Sequence, residues 1–225
     1  MAIEKTVFVE RTAAELGAYL SANASDYFDS ITVSEGVVIF KIGEQTVLTI
    51  EPGASGMYGV MLDITPVGAE SAVTRAFKGN SQNTQHIRAA YRTDKGILLA
   101  SQSSYFLLIC KNAEGNVCLV TSTFKFPNST SSDKPVEIWD IENNVSPYTV
   151  YTAPSQQPAA AVSFGTVNTR ITSLFPLAAA SGSILSGVYM SYLSPYVGDY
   201  IYGGMEIVLD GETHYAYTGS IALGE

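Results

Sequence analysis

Apolar residues follow a helical period over one stretch close to the start of the chain. There, "TAAE" (12–15) places a Thr three positions before a Glu, which is the pattern of a capping box at the first turn of a helix. The apolar residues that follow recur three or four positions apart, at Ala13, Leu16, Leu20, Ala24 and Tyr27. Residues at that spacing share one face of a helix, so we predict a helix over about 12–24.

Most of the rest of the chain is typical of β-strands separated by turns. Residues 30–50, "SITVSEGVVIFKIGEQTVLTI", contain two β-branched runs around Gly43-Glu44, which we predict to be a two-residue hairpin turn with Gly first. "MYGVMLDITP" (57–66) indicates a further strand. The polar stretch that follows contains few turn signals, and we predict a short helix near 82–91.

The segment "GILLASQSSYFLLICKNAEGNVCLVTSTFKF" (96–126) predicts strand, turn, strand, a loop with Gly115, and a third strand. The apolar runs at 105–110 and 117–120 are long enough that we expect these strands to be covered on both faces. Cys110 and Cys118 should then face each other across this hairpin. They are directly opposed if the loop has three residues and offset by one if it has four.

The strongest hairpin signal lies near the other end, where Asp210-Gly211 separates "EIVL" from "ETHYAY". A two-residue turn there places Leu209 opposite Glu212 and Ile207 opposite His214. A last strand, "SIALGE" (220–225), follows. We interpret this ending as a structural hairpin.

These patterns together predict a mainly β (α+β) fold with antiparallel sheets, sandwich- or barrel-like, and one N-terminal helix. Composition suggests three regions: an N-terminal α+β domain over 1–126, a linker or extended segment over 127–158, and a C-terminal β region over 159–225. The linker region contains the loop "PNSTSSDKP" and the start of a Pro- and Ala-rich stretch over 146–165. The C-terminal region either stands alone or packs as one domain with the first.

Composition and charge narrow the function classes. The chain has 225 residues, 46% hydrophobic and 15% charged, which is typical of a globular protein. Its net charge of −9 disfavours nucleic acid and anionic membranes as partners. We find no signal-peptide pattern at the start and no membrane span in the sequence. The two cysteines are therefore expected to be free thiols in a cytoplasmic environment.

No motif in the sequence predicts catalysis. Two histidines, His86 and His214, and two cysteines do not form a metal-binding pattern, and we expect no cofactor. Carboxylates that could form an acid–base pair are scattered, and nothing in the sequence singles out two of them: they include Asp63, Asp140, Asp199 and Asp210. We expect that the protein is not an enzyme.

The C-terminal part has a distinct surface composition. Arg170 is the only basic residue after position 150, and nine of the 14 tyrosines lie between Tyr148 and Tyr217. The candidate interface residues are five of these tyrosines, spaced irregularly: Tyr189, Tyr192, Tyr196, Tyr200 and Tyr202. Three interpretations stay open, namely a protein–protein interface, a sugar-binding site, and the ordinary tyrosine content of a β-sheet.

Three segments resemble small structural proteins of tailed bacteriophages and prophages of gut bacteria. They are "TAAELGAYLSANASDYFDSITVSEGVVIFKIG", "RTDKGILLASQSSYFLLICKNAEGNVCLV" and the closing "IVLDGETHYAYTGSIALGE". The resemblance implies a structural subunit of a phage particle, in the tail or baseplate, that assembles with itself and with other virion proteins. It implies localisation in the virion, and in the cytoplasm of the producing bacterium. The alternative hypothesis is a carbohydrate- or receptor-binding β module whose tyrosines contact a surface glycan.

Overall fold

The computed structural model describes residues 3–53, 58–78, 87–101, 106–122, 136–143, 145–150, 162–163, 169–195, 205–209, 212–217 and 221–224. Over these residues the chain forms one helix and eighteen strands, arranged in three antiparallel sheets. The predicted fold class, mainly β with one N-terminal helix, is therefore confirmed. Each sheet is an open one with two end strands, as in the sandwich alternative.

The helix, α1, spans Ala13–Asn23. The five-stranded sheet contains, in order, β2 (Ser30–Ser34), β3 (Val37–Ile42), β4 (Gln45–Pro52), β5 (Tyr58–Ile64) and β6 (Val73–Lys78). The seven-stranded sheet contains, in order, β1 (Glu4–Val7), β7 (Ile87–Arg92), β8 (Gly96–Ser101), β9 (Phe106–Lys111), β10 (Val117–Ser122), β11 (Val136–Asp140) and β12 (Val145–Val150). The six-stranded sheet contains, in order, β13 (Val162–Ser163), β14 (Thr169–Ala178), β15 (Ile184–Pro195), β18 (Ile221–Gly224), β17 (Glu212–Tyr217) and β16 (Met205–Leu209).

The helix begins where the capping signal predicts. Thr12 is the N-cap, with extended backbone, and its hydroxyl oxygen accepts a hydrogen bond from the Glu15 amide at 3.2 Å. The predicted apolar face is buried at Ala13, Leu16, Leu20 and Ala24, and it packs against β2, β3 and β4. The helical period therefore identified both the element and the face that it buries.

Two tight turns shape the five-stranded sheet, one of which the sequence predicted. The Gly43-Glu44 turn joins β3 to β4, with Ile42 paired to Gln45. A second turn at Glu35-Gly36 joins β2 to β3, with Ser34 paired to Val37. Residues 30–50 therefore contain three strands where the sequence indicated two extended runs.

The short helix predicted near 82–91 is wrong over its second half. Residues 82–86 lie outside the described residues, and Ile87–Arg92 forms β7. This strand lies between β1 and β8, with Ala89 paired to Val7 on one side and to Ala100 on the other. Backbone pairing on both sides outweighs the local helical preference of an Arg- and Ala-rich segment.

The strands near the C-terminus have the predicted register. Leu209 pairs with Glu212 and Ile207 with His214, which is the register that the sequence predicted. Asp210 and Gly211 themselves lie outside the described residues. The last predicted strand is β18, which lies between β15 and β17.

The seven-stranded sheet is the middle sheet of the three, and its strands β8, β9, β10 and β11 are buried on both faces. Alternate residues such as Ile97 and Leu99 join α1 and the five-stranded sheet in one core cluster. Their neighbours Leu98 and Ala100 join a second cluster with four residues of β14, β15 and β18 and one from the turn between β14 and β15: Leu177, Ala179, Leu185, Val188 and Leu223. The expectation of strands covered on both faces is therefore confirmed.

The predicted loop over 127–135 lies outside the described residues. The predicted extended stretch over 146–165 includes most of β12 and all of β13. The division into regions 1–126, 127–158 and 159–225 stays a prediction. The second core cluster contains residues from the first and the last of these regions.

Candidate interaction surface

The five candidate tyrosines are only partly described by the structure. Tyr189 lies on β15 and is half-buried. Its ring packs edge-on against His214 of β17, with centroids 5.2 Å apart and an interplanar angle of 73°. Tyr192 is also on β15, and Tyr196, Tyr200 and Tyr202 lie outside the described residues. Of the two candidate histidines, His214 is buried and His86 lies outside the described part.

The strands β14 and β15 form a long hairpin whose turn is docked on the middle sheet. The turn is closed by the Ala179 amide, which donates to the Ser183 carbonyl at 2.9 Å. Next to it, Leu185 forms a bridge with Asn112, and the Ala113 amide donates to the Ile184 carbonyl at 2.8 Å. The turn of this hairpin is thus joined by backbone hydrogen bonds to the turn between β9 and β10.

The hairpin departs from regular pairing at a proline. Pro176 pairs with Tyr189, and the register shifts between Pro176 and Ala178. Because proline has no amide hydrogen to donate to a ladder, it is found at such irregularities. On the turn side of this irregularity, Leu177 and Ala179 are buried in the second core cluster.

The Lys95 side chain lies close to the backbone of Gly187, so β15 packs tightly against the turn between β7 and β8. Gly187 has φ +69, and a Cβ placed on it would lie 2.4 Å from Lys95 Cγ. The aliphatic part of Lys95 therefore occupies the space that a side chain at 187 would need, while its Nζ pairs with Asp94 at 2.9 Å. Only glycine fits this position without moving either strand.

The two cysteines are buried free thiols directly opposite each other. Between the two strands, the Asn112 amide donates to the Asn116 carbonyl at 3.0 Å, which leaves residues 113–115 as the loop. The three-residue alternative is therefore confirmed, with Cys110 paired to Cys118. Burial raises the pKa of Cys110 well above its usual value, and burial followed by the Asp140 charge raises the pKa of Cys118 to about 12. Thiols in this state are poor nucleophiles.

A polar cluster that the sequence did not reveal joins the five-stranded and seven-stranded sheets. Arg75 of β6 binds the Glu137 carboxylate of β11 through Nε and Nη2, at 2.5 and 3.0 Å. The same guanidinium lies 5.4 Å from the centroid of the Trp139 ring. The two charges are 62 residues apart in the chain, so no local pattern could have predicted the pair.

Two of the four carboxylates that the sequence analysis named also have structural partners. Asp140 is buried and accepts hydrogen bonds from the Asn143 backbone amide and side chain, at 3.2 and 2.8 Å. Asp63 accepts a hydrogen bond from the Thr74 hydroxyl at 2.5 Å. Asp199 and Asp210 lie outside the described residues. Within the described part of the chain, no group of three or more His, Cys, Asp or Glu residues is arranged to hold a metal ion.

None of the described helical residues forms a segment that is long and apolar enough to cross a membrane. A comparison with known proteins found no family model, no curated protein and no solved structure that matches this chain.

Proposed function

We propose that this chain is a structural subunit of a phage or prophage particle, in the tail or the baseplate, that assembles with copies of itself and with other virion proteins. The observation that carries the proposal is the hairpin of β14 and β15. Its strands have 10 and 12 residues, and they are the longest of the described strands. At about 3.3 Å per residue they extend roughly 33 and 40 Å.

One end of this hairpin is docked on the middle sheet. The described residues that it buries against the middle sheet lie next to its turn, at Leu177, Ala179, Leu185 and Val188. Ladder pairing continues for several residues past this docked part, to Thr169 opposite Pro195. The far end of β15 carries Tyr192 and leads into the segment with Tyr196, Tyr200 and Tyr202.

The composition of this region supports its use in subunit contacts. Interface cores are depleted of charge and enriched in tyrosine. Residues about 146–204 meet both conditions, since they contain two charged residues, Arg170 and Asp199, and seven tyrosines. We therefore infer that this region forms the contacts between subunits.

The engagement of the buried polar groups supports a non-enzymatic role. Glu137 is neutralised by Arg75, and Asp140 is held by Asn143. Tyr189 is half-buried and its ring contacts the buried His214 within the same sheet, so it already has a structural partner inside the subunit.

Light scattering over a concentration series tests self-assembly. We expect the wild-type mass to rise with concentration and Tyr192→Asp to shift this rise to higher concentration, because a charge is costly in an interface core. Ile184→Asp is the matched control, since Ile184 is 52% exposed at the docked end of the same hairpin. A wild-type protein that stays monomeric at every concentration would remove self-assembly from the proposal.

Immunogold labelling tests the virion assignment separately. An antibody raised against this chain should label particles purified from the producing bacterium, and negative-stain microscopy should place the label at the tail or baseplate. If the chain is present in the lysate and absent from purified particles, the virion assignment is wrong. A glycan array then tests the sugar-binding alternative.

A further inference from the structure

Two arginines without ionic partners lie near each other beside the edge strand β1. The Phe8 amide donates to the Arg88 carbonyl at 2.8 Å, so Arg11, three residues after Phe8, comes close to Arg88. The Nε atom of each arginine is buried and has no hydrogen-bond partner. Across the described residues, neither side chain forms an ion pair.

Each guanidinium acts on the other through its charge. Burial lowers the pKa of Arg88, and the positive charge of Arg11 lowers it further. Two like charges therefore lie close together in a chain that has 21 acidic and 12 basic residues.

The carboxylates nearest in the chain are used elsewhere or are unpaired. Glu15 accepts hydrogen bonds from the Val9 and Arg11 backbone amides, at 2.9 and 2.7 Å. Glu4 pairs with Arg92 at 3.2 Å. Glu10 is exposed and forms no ion pair with a described residue. The sequence that leads into β7, "GNSQNTQH" (79–86), contains no Asp or Glu.

Exposed apolar residues adjoin these arginines. Val7 is 58% exposed and Val9 is 81% exposed, two of the four large apolar residues exposed on the described part of the chain. Val7 ends β1, which is an end strand of its sheet. An apolar surface flanked by arginine is the composition favoured in the core of protein interfaces.

We propose that Val7, Val9, Arg11 and Arg88 form a docking patch for the acidic C-terminal region of a second copy of this chain, and that the two guanidinium groups bind a carboxylate of that copy. The charges are complementary. Residues 151–225 contain one basic residue, Arg170, against five acidic ones: Asp199, Glu206, Asp210, Glu212 and Glu225. Arginine binds carboxylates through two parallel hydrogen bonds, and the terminal Nη groups of the two side chains are the donors that would supply them.

This contact joins two different surfaces of the same chain. Such head-to-tail contacts repeat from copy to copy and produce rings or filaments. The inference rests on the proposed self-assembly, to which it adds one of the two contacting surfaces and the chemistry of the contact.

Sedimentation velocity over a concentration series, with Arg88→Glu beside the wild type, tests the patch. We expect Arg88→Glu to weaken self-association by about tenfold or more, because reversing one charge of a close pair removes an attraction and adds a repulsion. Lys41→Glu is the matched control, since it makes the same change of net charge on β3 and should leave association near the wild-type value. Circular dichroism checks folding, and Arg88→Gln replaces the reversal if Arg88→Glu does not fold.

The outcomes separate the patch from the proposed function. If the wild type assembles and Arg88→Glu associates as Lys41→Glu does, the patch is wrong and self-assembly stands. If the wild type stays monomeric, self-assembly is wrong. The thermal unfolding midpoint of the wild type in succinate is then compared with its midpoint in sodium chloride of equal ionic strength, to test whether the two arginines bind a carboxylate at all. If succinate raises the midpoint of the wild type and Arg88→Gln abolishes this rise, the site binds a free carboxylic acid, and the second copy is not its partner. Equal midpoints overturn the arginine site itself.

Discussion

Thr12 and Glu15 stabilise the start of the helix through different backbone groups. In a reciprocal capping box, the Glu side chain returns to the amide of the capping residue. Here the Glu15 carboxylate instead accepts the amides of Val9 and Arg11, and Arg11 has a positive φ of 56°. The hydrogen bond from the Glu15 amide to Thr12 is therefore present as predicted. The Glu15 side chain, by contrast, binds the segment between β1 and α1 in place of the Thr12 amide.

Thr12→Ala should lower the free energy of unfolding by about 0.5–2 kcal/mol, since the Glu15 amide loses its acceptor. Thr12→Ser keeps the oxygen and should stay close to the wild type. Urea denaturation of the three proteins measures the difference. An unchanged midpoint for Thr12→Ala would remove the capping assignment.

From the two buried thiols, we predict that the free energy of unfolding falls at alkaline pH. Burial raises the pKa of both above the usual thiol value, to about 12 for Cys118. Above about pH 8.5 the unfolded chain ionises these thiols and the native state does not, so stability falls as pH rises, by up to about 1.4 kcal/mol per thiol and pH unit. Below that pH the contribution is fully present.

Denaturant unfolding between about pH 8 and pH 10 measures this slope, below the range in which Tyr27, with a pKa raised to about 12, contributes most. The Cys110→Ala/Cys118→Ala variant is the control and should show a shallower pH dependence. Equal slopes in the two proteins would contradict the assignment to the thiols.

Among the elements, the contact of the helix with β2 leaves no room for a methyl group. A Cβ at Gly17 would lie 2.2 Å from Val33 Cγ2. Gly17→Ala raises helix propensity by about 1 kcal/mol, but overpacking costs about 1–3 kcal/mol, so we expect a net loss of stability. The added variant Val33→Ala should restore it, and a double-mutant cycle by thermal unfolding tests the coupling. A Gly17→Ala protein more stable than the wild type would disprove the close contact.

The turn between β2 and β3 holds Glu35 at φ 51° and Gly36 at φ 82°. Asn tolerates a positive φ better than Glu does, so Glu35→Asn should raise the free energy of unfolding by a few tenths to about 1 kcal/mol. Glu44→Asn is the control, because Glu44 occupies the second position of the other turn without a positive φ. A gain of equal size in both variants would refute the explanation.

Two hairpin turns and one strand show what the local sequence can predict and what it cannot. Asp210-Gly211 is a strong hairpin signal, and the register around it was correct. Glu35-Gly36 was missed because Glu is not a residue that favours a positive φ. The strand β7 was read in part as a helix because its conformation depends on pairing with β1, some 80 residues earlier.

At the scale of the whole molecule, contacts between residues distant in sequence determine which side chains lie together. Tyr189 was identified from composition, whereas its partner His214 comes from a strand that the six-stranded sheet brings beside it. The pairs Arg75–Glu137 and Arg11–Arg88 likewise depend on sheet order. Periodicity and turn signals report only on near neighbours, so they predicted strands and hairpins without predicting these clusters.

The burial of the middle sheet predicts where the molecule is most stable. Leu107, Ile109 and Leu119 are fully buried, and the strands that carry them are covered on both faces. Their amides should exchange with solvent most slowly, since exchange there requires the largest unfolding event. Hydrogen–deuterium exchange by mass spectrometry measures this. Equally slow exchange in the end strands β1 and β2 would contradict it.

The same middle sheet has a consequence for synthesis on the ribosome. The residues that cover its second face, such as Leu177 and Leu223, are translated after β11 ends at Asp140. At 5–20 residues per second, translation from Asp140 to Leu223 takes roughly 4–17 s, and during this time Leu98, Leu108 and Val120 lack part of that cover. The nascent chain therefore passes through a stage with one complete apolar sheet face uncovered, and its yield in the cell should depend on chaperones that bind during elongation.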